Sequence, residues 1–175
     1  MNALEQGTDL FSSVGLSNDA SFSFAGEPRE TENCEKFVAF FLGNEIYCIS
    51  SAMVLEVVHP LSVATLPNTP AWILGIAAFK GEVIAVVNIK KILGISEAAA
   101  NGKTKLVILR ANAKETQFAI PVDSMHELIT ISPETIAADP NDKTGGLTRL
   151  AEYESNVFRT IEPGILLEKL EQSVR

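Results

Sequence analysis

Few residues of this chain have reactive side chains, and they are scattered. His59 and His126, its two histidines, could serve as bases of a triad or as metal ligands, but neither has a carboxylate or thiol partner at the spacing those roles need. Both are expected to be ordinary strand or loop residues. Cys34 and Cys48 show no C-x-x-C spacing and no nearby histidine cluster, so neither a zinc site nor a disulfide framework is expected, in keeping with a reducing compartment. The serines are concentrated in the first segment or at turns without a G-x-S-x-G, GEVIAVV is not a dinucleotide fingerprint, and no Gly-rich loop precedes a helix. No catalytic group, cofactor or metal is expected. What remains is charge set into apolar strands: Glu56 within VLEVV, Lys80 at FKG and Asp123 within PVDS. Such residues act by recognition, so the chain is expected to work by its surface.

The elements that must position them are mostly strands. From Trp72 to Gly94 two β-rich runs meet at Lys80-Gly81 and a short amphipathic segment follows; between Ile73 and Val87 the only polar side chains are Lys80 and Glu82. So apolar a run must be buried against the fold or a partner. Upstream, KFVAFFL and EIYCIS flank Gly43-Asn44 as a hairpin, because Gly supplies positive φ without steric cost. A short helical turn over Ser50 to Met53 leads into the strand MVLEVVHP, which Pro60 ends by removing a ladder donor. Downstream, KLVILRA and TQFAIPV form a second hairpin, HELITIS a further strand, SPETI a turn capped by Ser132, and ADPNDKTGG a flexible loop. TRLAEYESNVFRTI reads as a last hairpin turning near Glu154 to Asn156. After Pro163, Ile165, Leu166 and Leu170 fall at helical spacing. Many short strands plus one terminal helix predict an all-β barrel or sandwich.

Residues 1–36 differ: they are rich in Ser, Gly, Asn and acid, with no period of 2 or 3.6, and are expected to form a disordered acidic tail. Phe11, Phe22 and Phe24 leave room for part of it to dock. The 175 residues carry a formal net charge of −8, which argues against nucleic acid or an anionic membrane as the main partner. MNALEQGTDLF lacks a basic n-region and an apolar h-region, and no apolar run reaches the roughly 18 to 20 residues of a spanning helix, so the expected location is the cytoplasm.

The order and spacing of several segments then carry a resemblance. FVAFFLGNEIYCIS, Val54-Leu55-Glu56-Val57-Val58, LPNTPAWILGI, FKGEVIAVVNI, IPVDSMHELI and FRTIEPGILLEKL follow one another as in CheW, the coupling proteins of bacterial chemosensory arrays. The resemblance covers residues 37–171. It implies two small five-stranded SH3-like barrels side by side with a short C-terminal helix. It also implies a non-catalytic adaptor joining the cytoplasmic tip of a methyl-accepting chemoreceptor to the regulatory domain of a CheA-type histidine kinase at membrane-associated arrays. The chain departs from the family at Phe79-Lys80-Gly81, where an arginine is usual, at Ala85, where Pro is usual, and at Asn88, where an acid is usual. Lys is a point charge without the bidentate fork of Arg, and Asn88 removes any ion pair made there in relatives.

On this resemblance Glu56 and Lys80 would meet at the rim of the first barrel and fix the groove for the receptor tip; the alternative is a solvated glutamate and a turn lysine that never meet. Strand alternation places Val54, Glu56 and Val58 on one face, opposite Leu55 and Val57. Val54, Val58 and Ile84 are accordingly receptor-contact candidates, or else plain core. The kinase contact is expected on the other barrel, around the hairpin Leu106 to Val122, with Val107, Phe118 and Asp123 as candidates; Asp123 could equally cap a turn. Two other functions compete: an adaptor for a different chemosensory array, such as one for pilus-driven twitching, and a small-ligand-binding β-barrel.

Overall fold

The computed structural model describes residues 34–97, 102–111 and 116–173; the tail expected over residues 1–36 lies, up to residue 33, outside the described residues. Among the described residues, eleven strands, two helices and two short 3-10 turns follow in order. They are β1 (Glu35–Leu42), β2 (Glu45–Ser50), the turn Ser51–Met53, β3 (Val54–Val58), β4 (Ile73–Phe79), β5 (Glu82–Val87), α1 (Ile89–Leu93), β6 (Lys105–Ala111), β7 (Thr116–Val122), β8 (Ser124–Ile131), the turn Pro133–Thr135, β9 (Ile136–Ala138), β10 (Thr148–Tyr153), β11 (Asn156–Ile161) and α2 (Pro163–Ser173). No described helix is long and apolar enough to cross a membrane.

The strands form two sheets, a six-stranded one in the order β8-β1-β2-β11-β10-β9 and a five-stranded one in the order β3-β6-β7-β5-β4. Four of the nine pairings among the described strands are hairpins across short connections, β1–β2, β4–β5, β6–β7 and β10–β11: Gly43 sits at φ +64 between β1 and β2, and Glu154 and Ser155 both hold positive φ between β10 and β11. Two pairings are parallel and join strands distant in sequence, β2 with β11 and β5 with β7. The six-stranded sheet is thus built from both ends of the domain and the five-stranded sheet from its middle. The hairpin β6–β7 therefore shares a sheet with β3 and with Lys80, not a separate half as the sequence suggested.

Three apolar clusters explain the arrangement. Phe37, Ala39, Cys48, Ile129, Ile131, Ala151 and Phe158 fill the inside of the six-stranded sheet. Ala77, Phe79, Ile84, Val86, Leu106, Ile108 and Ala119 fill the five-stranded one. The third cluster lies between the sheets, where Phe40, Leu42, Tyr47 and Ile49 meet Val107, Leu109, Phe118, Ile120 and Val122, with Leu166 of α2 packed among them. Strand β6 is a wall between two cores: Leu106 and Ile108 face one, Val107 and Leu109 the other, so four consecutive residues are buried.

Two local expectations are revised. Ser132 makes no side-chain cap, and Thr135 Oγ1 instead donates to the Ser132 carbonyl at 2.8 Å. The segment over ADPNDKTGG is tied down by carboxylates: Asp139 accepts from the Asn141 amide at 2.9 Å, and Asp142 from the Thr144 amide at 2.9 Å. Bonds from Thr144 and Thr148 and the Gly146 amide outweigh burial and hold the Asp142 carboxyl below its ordinary value. Strand β9, three residues long, gave no period to read.

Candidate functional site

Glu56 and Lys80 are brought together. Glu56 stands on β3 and Lys80 on the β4–β5 turn, at opposite edges of the five-stranded sheet, and Lys80 Nζ bonds Glu56 Oε2 directly. The sheet must curl for its edges to come this close. A second tie lies nearby in the chain: Ala64 in the β3–β4 connection exchanges two backbone bonds with Ile76 at 2.8 and 2.9 Å. Lys80 adopts a positive φ of 49° and lies 5.2 Å from the Phe79 ring centroid, which orients its ammonium outward from an apolar base. The pair is open to solvent, with side-chain exposures of 68% for Lys80 and 39% for Glu56.

The apolar residues around the pair differ from those expected. Ile84 is buried with Ala77, Phe79 and Val86, so it is core and not a receptor contact. A bulge between Val54 and Glu56 leaves Leu55 as an extra residue against β6 and breaks the period of two. Val54 consequently packs on the inter-sheet core, while Leu55 and Val58 both pack on the core of the five-stranded sheet. The exposed aliphatics are instead Val57, 37% exposed, and Val83, 70% exposed and paired opposite Ala78 just beyond the Lys80 turn. Alternation alone could not find Val57, because the bulge reverses which face it takes.

The kinase-contact candidates are also revised. Val107 and Phe118 lie in the inter-sheet core, where they meet the six-stranded sheet of the same chain. Asp123 is engaged internally: one oxygen accepts from the Gly43 amide at 2.6 Å and the other binds Lys90 Nζ. Exposed apolar side chains on the six-stranded sheet are Leu128, on its edge strand β8, and Val157 on β11.

Several other polar groups tie elements of the fold together. Arg159 binds Asp139 Oδ2 at 3.0 Å and Glu45 Oε1 at 2.5 Å, and Tyr47 donates to Glu45 at 2.9 Å. Burial opposes the Arg159 charge, but its two carboxylate partners outweigh that and hold its pKa above the ordinary value. Burial, and then the Glu45 carboxylate, raise that of Tyr47. His126 stacks on Phe41 at 5.3 Å between centroids, and His59 lies 3.2 Å from Lys105 Nζ; neither faces a cluster that could ligate a metal among the described residues. Asn88 donates to Glu97 Oε1 at 2.7 Å, a bond that an aspartate at this position would replace with two facing carboxylates.

The pattern of the CheW-like domain matches residues 36–170. The chain is 26% identical over 147 residues to the chemotaxis protein CheW of Helicobacter pylori, covering 80% of this chain and 87% of that protein. It is 32% identical over 134 residues to the chemotaxis protein CheW of Treponema pallidum, covering 73% and 75%. Protein FrzA of Myxococcus xanthus is 31% identical over 74 residues, covering 42% of this chain and 46% of that one. The crystal structure of the scaffolding protein TtCheW from Thermoanaerobacter tengcongensis superposes with a TM-score of 0.67 at 27% identity, covering 73% of this chain and 88% of that one.

Proposed function

We propose that this chain, which belongs to the CheW-like domain family, is a non-catalytic adaptor that couples methyl-accepting chemoreceptors to a CheA-type histidine kinase. The two sheets, each curled on its own apolar core, are read as the two barrels of that family. The observation that carries the reading is the solvent-exposed Glu56–Lys80 pair joining the edges of a sheet that also carries the exposed aliphatics Val57 and Val83. A receptor helix would dock by laying aliphatic side chains against such a surface while charges at its rim set the register. The kinase regulatory domain, itself CheW-like, is assigned to the six-stranded sheet through Leu128 and Val157. Two separate surfaces are what a bridging protein requires, each on the order of 800 Å². The complex would sit on the cytoplasmic side of the membrane, held there by the receptor.

The test is reconstitution of the full chain with a receptor cytoplasmic fragment and a CheA-type regulatory domain, followed by gel filtration. A ternary complex is expected. Lys80→Glu should remove the receptor and keep the kinase, and Leu128→Asp the reverse. A folded chain that binds neither overturns the proposal; binding to a receptor fragment from a pilus-linked array in place of a flagellar one would reassign the pathway and keep the adaptor role.

A further inference from the structure

The chain passes between its two sheets twice, through the turn Ser51–Met53 and through Asp123, the single residue between β7 of the five-stranded sheet and β8 of the six-stranded one. Three interactions converge on that residue. Its amide donates to the Phe41 carbonyl of β1 at 3.0 Å, its Oδ2 accepts from the Gly43 amide in the β1–β2 turn at 2.6 Å, and its Oδ1 binds Lys90 Nζ of α1. The charged pair is largely withdrawn from water, with side-chain exposures of 10% for Lys90 and 20% for Asp123. A separate observation marks the same contact. A Cβ on Gly43 would stand 3.1 Å from Ile95 Cγ2, two residues past the end of α1, so the hairpin turn packs tightly against the segment that follows the helix.

We infer that Lys90, Asp123 and the Gly43 amide form a clamp that sets the orientation of the five-stranded sheet against the six-stranded one. The apolar core between the sheets holds them together by a driving force that is itself non-directional. Hydrogen bonds to a charged group are directional, and a largely buried ion pair adds little net stability over an apolar pair of the same size, so its effect falls on geometry. α1 extends from β5, and the Gly43 turn belongs to β1 and β2; Asp123 therefore locks one element from each sheet to the crossing point between them. Lys90 and Asp123 act as positioning residues. The inference stands apart from the adaptor reading, since it concerns only the free chain.

The experiment compares the isotope-labelled full chain with Asp123→Asn and Lys90→Met, both close in size to the originals, by residual dipolar couplings and amide exchange. In the unmodified chain one alignment tensor should fit both sheets. In the variants each sheet should still fit its own tensor while the joint fit fails, and Gly43 exchange should quicken at least tenfold. A joint fit as good as that of the unmodified chain overturns the clamp. So does exchange that quickens equally across β2–β11, β5–β7 and Gly43, which marks a plain loss of stability; if one variant fails to fold, the other decides.

Discussion

At the scale of single residues, the receptor role proposed for the Glu56–Lys80 pair can be separated from any part it plays in stability. Both side chains are exposed, and such pairs contribute only about 0 to 1 kcal/mol. Lys80→Glu should leave the thermal midpoint within a few degrees of the original and abolish receptor co-sedimentation, and adding Glu56→Lys should recover part of the binding. An equal loss of folding and binding would show the pair to be structural. Cys48 offers a second prediction. Burial pushes its thiol from 9.0 up to about 12. Because the folded value lies above the unfolded one, its contribution is complete below about pH 9 and is lost as pH climbs from there towards 12. A thiol reagent at pH 8 should therefore titrate Cys34 alone in the native chain and both cysteines in denaturant, and Cys48→Ala should flatten the alkaline fall in stability. The ion pair could be anticipated from its two residues and the family resemblance. The burial of Ile84, Val107 and Phe118 could not, because alternation assigns one face of a strand to solvent, and β5, β6 and β7 are covered on both faces.

At the scale of elements, turn chemistry and close backbone approach dominate. Glu154 and Ser155 carry φ of 47° and 64° in a two-residue hairpin, a conformation that costs any side-chain-bearing residue but suits Asn-Gly. Replacing the pair with Asn-Gly should stabilise the fold by about 0.5 to 1 kcal/mol in urea denaturation. Gly75 is the reverse case. Its φ is +143°, and a Cβ there would fall 2.1 Å from the Ala64 carbonyl oxygen. Gly75→Ala should cost about 1 to 3 kcal/mol. It should also break the Ala64–Ile76 bridge, which amide exchange at those two residues would report. The hairpins were legible because each is bounded by Gly, Asn or a charged turn between alternating runs. The face of β3 was not: the bulge at Leu55 inserts one residue, and a shift of one in a period of two inverts every later side chain.

At the scale of the whole molecule, the core between the sheets makes the two halves unfold together. Scanning calorimetry should show one transition with calorimetric and van't Hoff enthalpies in agreement, and Phe118→Ala, which empties part of that core, should lower it by about 3 to 5 kcal/mol while keeping it single. Two resolved transitions would show that the sheets are independent. Which strands share a sheet lay beyond the sequence, since a period of two states that a strand has two faces and says nothing of its neighbours; the parallel pairs β2–β11 and β5–β7 are fixed only when the chain closes on itself. That closure also bears on synthesis. The five-stranded sheet has all its strands once Val122 has emerged, whereas β1 and β2, made first, wait for β11, which ends at Ile161. At about 5 to 20 residues per second, that leaves the first hairpin without its parallel neighbour for some seconds on the ribosome. Phe37, Ala39 and Cys48 lack their Ala151 and Phe158 neighbours through that interval, and a ribosome stalled between β8 and β10 would release a chain with a finished centre and a β2 edge still without its parallel partner.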